Sequence, residues 1–432
     1  MIEFTNILII LFLNLFIFYI PSLIEISNLK KINILKIKVC FNLILFLNLF
    51  LILSFFKINF NYLLYTILSI NLIQLIIFIK HIRPNKDIRY FYYFLMLIGI
   101  VLSINLSVNL KLEWDASVNW IFKTLNFYNG FAFDNLKNVP GVTAYPHLGS
   151  YVWAFFWDIG MFNKEYTGRI FFLILFIFSI ILNSFNPKNN ILWNFFIILI
   201  LTTIFFDQNA FTGYQEGFMF SLIAILFFLI NKIKKEKKIN FKFIILLLLN
   251  FNLLLWVKNE GYIWSILIII FFVYSIKNNF YNKIVIFIGF SLLLTIKSFI
   301  FFKFFGENLI GWKGYTFLPL DENFLSTIFE RLPFIIFSIV KVFFKYPFLI
   351  IAVLILAIKL REKKNYDLLL FLMVNIIVTS SIFIFADNSN WKFHTNVGLD
   401  RMLYQTSGFY IFLIAKFFHE IIFKYIKING KN

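Results

Sequence analysis

Cysteine is all but missing. A single thiol, Cys40, stands in 432 residues, which excludes an internal disulfide and a cysteine-built metal centre. Charge is scarce as well: 14% of the residues are charged against 61% hydrophobic, and mean hydropathy is +0.85. That balance excludes a water-soluble domain, because there is too little polar surface to cover such a core. The chain has no internal repeat and no polar stretch long enough to form a soluble domain. Its start lacks the basic region and small-residue cleavage site of a removable leader, so the first apolar run reads as a retained span.

What is present is apolar sequence in pieces that suit a bilayer. Runs at 7–26, 39–56, 60–79, 90–110, 170–183, 191–206, 218–230, 243–257, 262–274, 284–302, 346–360, 368–386 and 402–415 cluster around the length needed to cross the hydrocarbon core. They predict an all-α polytopic integral membrane protein with about 13 transmembrane helices. The 64 Phe, with many Ile, Asn and Lys, reflect codon bias more than chemistry. The formal charge of +19 does not mark a nucleic-acid partner. Its lysines and arginines gather in short loops, around 30–38, 80–89, 232–242 and 359–364, and basic short loops stay in the cytoplasm. Placing them there puts the amino terminus outside, the basic tail inside, and 111–169 on the outer face of a bacterial inner membrane. Membrane lipids are then an obligatory partner. The parity holds only if 324–345 lies in the outer interface without crossing. Thr327, Glu330, Arg331, Ser338, Lys341 and Lys345 form one polar stripe on an apolar rod there, which Pro333 is expected to interrupt early.

The long outer loop 111–169 cannot sit in lipid throughout and opens with Glu113 and Asp115 just past a span. An acid at the mouth of a membrane helix is costly to bury and usually functional. The other outer segments add Lys123, Tyr145, His147, Glu216, Lys258, Glu260, His394, Asp400 and Arg401, with Lys297 near the outer end of its span. Sugar nucleotides and ATP are scarce on that side, so a transferase there needs a donor delivered through the membrane. A polyprenyl-phosphate-linked sugar is such a donor. Moving its sugar needs a carboxylate to take the acceptor proton and cations to stabilise the departing phosphate.

The motifs W-D-A-S-x-x-W-x-x-K (Trp114 to Lys123), Y-P-H-L (Tyr145 to Leu148), G-Y-x-E (Gly213 to Glu216), K-N-E-G (Lys258 to Gly261) and W-K-x-H-x-x-x-x-x-D-R (Trp391 to Arg401) resemble the GT-C superfamily of membrane glycosyltransferases. The nearest likeness is to bacterial relatives of protein O-mannosyltransferases and the lipid A aminoarabinose transferase, the family 39-like group. The resemblance implies a GT-C-like domain over 90–432 with its catalytic loop at 111–169 and an interfacial helix at 324–345. Residues 1–89 then form a three-helix amino-terminal extension. It also implies that Asp115 is the catalytic acid, working by inversion on a polyprenyl-phosphate sugar, with a glycan, lipid or protein acceptor. Relatives often carry an acid near Tyr214, where this chain has Gln215-Glu216.

Each candidate also has a structural role open to it. Asp115 would cap the helix that follows. Glu113 and Asp115 together would hold a divalent metal, or Glu113 would be a solvated loop acid. Lys258 and Lys297 would snorkel, Arg401 would anchor a span, and Trp114, Trp120, Trp153 and Trp157 would be sugar platforms or an interfacial belt. Two other functions compete: an O-antigen polymerase or ligase, whose large outer loop falls late in the chain, and a transporter or lipid flippase, which needs acids at mid-membrane depth.

Overall fold

A computed structural model describes residues 2–19, 32–78, 86–141, 145–160, 163–234, 241–275, 280–306, 316–359, 366–387 and 390–429. The described chain is helical almost throughout. In order, the helices are α1 (Ile2–Asn14, continued by a π-turn Leu15–Tyr19), α2 (Ile32–Leu53), α3 (Phe60–Phe78), α4 (Lys86–Val108), α5 (Ile121–Tyr128), α6 (Leu148–Asp158), α7 (Tyr166–Ser184), α8 (Ile191–Phe205), α9 (Glu216–Ile233), α10 (Phe241–Val257), α11 (Glu260–Ser275), α12 (Phe280–Phe305), α13 (Phe324–Lys345), α14 (Pro347–Lys359), α15 (Tyr366–Phe385), α16 (Trp391–Thr406) and α17 (Tyr410–Asn429). One antiparallel ladder pairs β1 (Thr316–Phe317) with β2 (Ala386–Asp387).

Seven described helices are long and apolar enough to cross a membrane, and eight if α13 and α14 count as one bent element. Four more apolar helices, Glu3–Phe18, Ile191–Phe205, Phe241–Val257 and Glu260–Ser275, are shorter. At about 1.5 Å per residue such helices fall below the roughly 30 Å hydrocarbon thickness. Length alone therefore supports seven or eight crossings among the described residues. The last apolar run is broken, because a 3₁₀ turn at Ser407–Phe409 separates α16 from α17.

The helices α7 and α9 form the centre and are buried almost end to end. They are apolar all round, as a helix with no wet face must be. They pack on each other, and α4, α6, α10 and α16 surround them. Helix α6 is a surprise. The run 151–159 reads as an interfacial segment, yet Tyr151, Val152, Trp153, Phe155 and Phe156 are all buried in the core. Too few charges flank it to hold it at a surface, and its aromatic faces fit between α2, α5 and α7.

The amino-terminal helices are part of the same core. The Lys36 ammonium on α2 donates to the carbonyls of Leu182 (2.8 Å) and Phe185 (2.7 Å) at the end of α7. Asn48 reaches the Leu249 carbonyl at 3.2 Å, and Tyr166 donates to Glu3. Helices α1 and α2 therefore pack into the bundle, with α1 on α4 and α7, and α2 on α10.

Helix α13 spans the range expected of an interfacial helix and turns by 94° into α14. Pro333 does not interrupt it: the helix is continuous. A proline inside a helix removes one backbone hydrogen bond, and the turns on both sides of Pro333 stay helical. The polar stripe does not all face outward either. Arg331 and Ser338 lie with Ile335 and Val342 on the buried side, and Arg331 donates to the carbonyls of Ile384 and Ala386 at the end of α15. A guanidinium satisfying terminal carbonyls also complements the helix dipole. The exposed side carries Phe329, Phe337 and Phe344.

One contact fixes the central packing. A Cβ on Gly408 would lie 2.3 Å from the Phe220 carbonyl oxygen and 2.9 Å from the Ala224 nitrogen of α9. Backbone cannot yield as a side chain can, so Gly408→Ala should lower stability by about 1–3 kcal/mol through overpacking. Gly99→Ala meets only the Leu11 Cδ2 at 3.3 Å and should be nearly silent. Thermal unfolding of the two variants in detergent checks the contrast; equal midpoints would mean that the Ser407–Phe409 turn packs less closely on α9 than these distances require.

Candidate functional site

Asp115 sits in a short helical turn that runs into a π-helical segment, Ala116–Trp120. Its backbone is already helical and its side chain makes no capping bond, so the capping role is not the one adopted. The carboxylate instead reaches across the bundle. Its Oδ2 accepts a 2.6 Å hydrogen bond from Nη1 of Arg401 on α16. The same guanidinium donates through Nε (2.8 Å) and Nη2 (2.6 Å) to Oε1 of Glu216, the first residue of α9. Lys258, between α10 and α11, donates to that oxygen as well at 2.8 Å and pairs with Glu260 at 3.3 Å. Four segments thus meet in one alternating chain of charge: Asp115, Arg401, Glu216, Lys258, Glu260. The Arg401 guanidinium also lies 4.0 Å from the Tyr214 ring centre, a cation–π contact.

Local sequence explains the approach of the two loops. Gly213 adopts φ +91°, and a Cβ there would lie 2.7 Å from the Ala116 Cβ. Only glycine takes that backbone without strain and leaves that room. The turn lets the Glu113 amide donate to the Thr212 carbonyl at 3.2 Å, which holds G-Y-x-E against W-D-A-S. Glu216 then falls at the start of α9, where the helix dipole also favours a carboxylate.

Burial sets the electrostatics. Glu216 is almost wholly buried, a position that an anion occupies only when paired. Burial lowers the Lys258 ammonium, but the carboxylates of Glu216 and Glu260 more than offset that and leave it above the usual lysine value. Arg401 is raised in the same way, with burial opposed by Glu216 and then Asp115. Burial pushes the Tyr214 hydroxyl up to about 12, against the lowering effect of Arg401.

Beside this chain opens a cleft of about 170 Å³. Glu113, Tyr214, Glu216 and Arg401 line one side. The far side is Asp207, Lys345, Tyr346, Asp400 and Tyr404. There Tyr346 donates its hydroxyl to Asp207 Oδ2 at 2.7 Å, and Lys345 pairs with Asp400. Asp400 Oδ1 in turn accepts from the Arg401 amide at 2.7 Å. Lys345 and Tyr346 belong to the elbow between α13 and α14. No sequence pattern ties that elbow to a loop 139 residues away, so its place in the site was not legible.

Of the residues singled out by sequence, the fold brings together Glu113, Asp115, Glu216, Lys258, Glu260, Asp400 and Arg401. It places Lys123, His147 and Lys297 in the packed interior and leaves Tyr145 half-buried against it. Lys123 is buried and donates to the Tyr145 carbonyl, and the Tyr145 ring stacks on Trp120 at 5.5 Å. Lys297 does not snorkel: it is buried, with Nζ 5.4 Å from the Phe301 ring centre. His147 is fully buried among Phe55, Phe127, Phe133 and Trp256. His394 is half-buried on α16 beside Phe393 and outside the cleft lining. Trp120 and Trp153 are core residues, Trp114 is exposed, and Trp157 stacks on Tyr128. The two acids that open the outer loop, Glu113 and Asp115, each face a cation of this chain. Lys111 holds the first at 3.0 Å and Arg401 the second, and no group of three His, Cys, Asp or Glu converges among the described residues.

The buried His147 has a measurable consequence. The Ser54 hydroxyl donates to the Leu51 carbonyl at 2.6 Å, so His147 Nε2 is the donor in its 2.6 Å contact with Ser54 Oγ. Burial lowers the ring well below its usual 6.5, helped by Lys123 and Lys297. A group with a depressed folded value favours the folded state fully only above its unfolded value. Stability should therefore fall as pH drops below about 6.5, by up to about 1.4 kcal/mol per unit. Unfolding midpoints taken from pH 7.5 to 5 should show this slope, and His147→Asn should flatten it; an unchanged slope would assign the loss to other groups.

Comparison of the chain with family models, curated proteins and solved structures returns no match.

Proposed function

We propose that the chain is an inverting GT-C-type glycosyltransferase with about 13 crossings, acting on the extracytoplasmic face of a bacterial inner membrane. It takes a sugar from a polyprenyl-phosphate donor and gives it to an acceptor hydroxyl. The observation that carries this reading is the contact of Asp115 with Arg401, which itself lines a cleft, backed by the buried Glu216 and Lys258. One carboxylate oxygen of Asp115 is held by Arg401, and the other, Oδ1, is left to receive a proton from the acceptor hydroxyl. As that proton moves, the hydroxyl oxygen attacks the anomeric carbon. The bond from that carbon to the phosphate oxygen breaks on the opposite face, and the electron pair leaves with the phosphate. Arg401 and Lys258 are the cations we assign to the departing phosphate, and Glu216 holds both in place so that little reorganisation accompanies the charge movement.

The test is transfer from a labelled lipid-linked sugar in membranes that contain the full chain or its Asp115→Asn variant. Undiminished transfer by the variant would remove Asp115 from the reaction and the mechanism with it.

A further inference from the structure

The charge of the cleft suggests more about the acceptor than the reaction itself requires. Its lining carries four carboxylates, Glu113, Asp207, Glu216 and Asp400, against two cations, Lys345 and Arg401. Both cations are already engaged, Lys345 by Asp400 and Arg401 by Asp115 and Glu216. Asp207 is the exception. Its oxygens accept from the Asn209 amide at 3.0 Å and the Tyr346 hydroxyl at 2.7 Å, and no lysine or arginine among the described residues pairs with it. A second feature belongs to a residue of the same lining. Glu216, buried and lining the cleft, gives all its bonds to Oε1 and leaves Oε2 without a partner. A buried carboxylate oxygen without a donor is costly, and a ligand N–H or O–H would meet that need.

The acids do not converge as metal ligands would; they are spread around a cleft of about 170 Å³. That spacing suits an organic cation of monosaccharide size better than a bare ion. Three tyrosines, Tyr214, Tyr346 and Tyr404, share the lining, and aromatic faces with carboxylate acceptors are what a polyhydroxylated ring packs against. Carboxylates in excess over cations in the lining favour a cationic group on whatever enters the cleft.

We infer that the acceptor is an aminated sugar, a hydroxylated ring with a primary ammonium group, and that Asp207 receives the ammonium. This rests on the glycosyl-transfer reading, but it is tested by equilibrium binding, which needs no turnover. The full chain in detergent is titrated at neutral pH with 6-amino-6-deoxyglucose and with glucose, which differ in one group. The aminated sugar should bind about tenfold tighter. Asp207→Asn, which keeps an oxygen for Tyr346, should bring the two within about twofold, and magnesium should not compete.

Equal affinity, binding of neither sugar, or a preference that survives Asp207→Asn would overturn the inference. So would tighter binding of a Lys-Ser peptide than of the aminated sugar, which would make the acceptor a protein. Loss of the ammonium preference with Asp115-dependent transfer intact would sink this inference alone. Transfer that ignores Asp115→Asn, with the preference intact, would sink the catalytic reading alone.

Discussion

Glu216→Gln should destabilise the protein by about 3–5 kcal/mol, the usual result of removing one partner from a buried charge array. One oxygen of Glu216 takes bonds from both Arg401 and Lys258, and the Glu216 and Lys258 side chains are only 2% and 7% exposed. The amide keeps the shape and one acceptor but not the charge. Two cations would then face each other across a low-dielectric site, with only Asp115 and Glu260 at its ends to offset them. The cost comes from leaving charge uncompensated, so removing a cation too should recover part of it. Glu216→Gln with Lys258→Met is therefore expected to be more stable than Glu216→Gln alone. Unfolding in detergent measures both. A loss below about 1 kcal/mol in the single variant, typical of exposed pairs, would show that water reaches the array.

Asp115→Asn should do the reverse, with a small effect on stability and a large one on transfer. The Asp115 carboxylate is 25% exposed at the end of the array, and Arg401 keeps Glu216 as a partner. Less folding energy is at stake than at Glu216, because this pair is only part-buried and Arg401 keeps a second carboxylate. A general base contributes about 10²–10⁴ in rate, and asparagine cannot take the proton. Transfer should fall by that factor while the unfolding midpoint moves by a few degrees at most. A parallel loss of both would recast Asp115 as a structural partner of Arg401. The two variants thus separate the roles proposed along one chain of charge: Glu216 as the residue that holds the array together, and Asp115 as the proposed base.

The positions of the helices could be read in advance because hydropathy is a local property. Each apolar run carries helix, and α13 begins and ends where its polar spacing said it would. What that spacing misjudged was which way α13 faces. Arg331 and Ser338 turn inward because the carbonyl end of α15 lies there to be satisfied. The run 151–159 went to the core for a similar reason: an apolar segment is equally content in lipid, at an interface or against other helices, and only its neighbours decide.

The candidate site divides along the same line. Composition alone determined that this is a helical membrane protein, because no arrangement of so apolar a chain could be covered by water. The short motifs singled out Asp115, Glu216, Lys258 and Arg401 one by one, since a charged residue at the end of an apolar run is conspicuous wherever it occurs. That these four touch, that Lys123, His147 and Lys297 retreat into the packed interior, and that Tyr346 closes the far side of the cleft depended on tertiary structure. Contacts across 286 residues, as between Asp115 and Arg401, leave no periodic trace in a sequence. They exist because helices packed by shape carry their ends to one place, and because charge buried there is stable only beside its opposite.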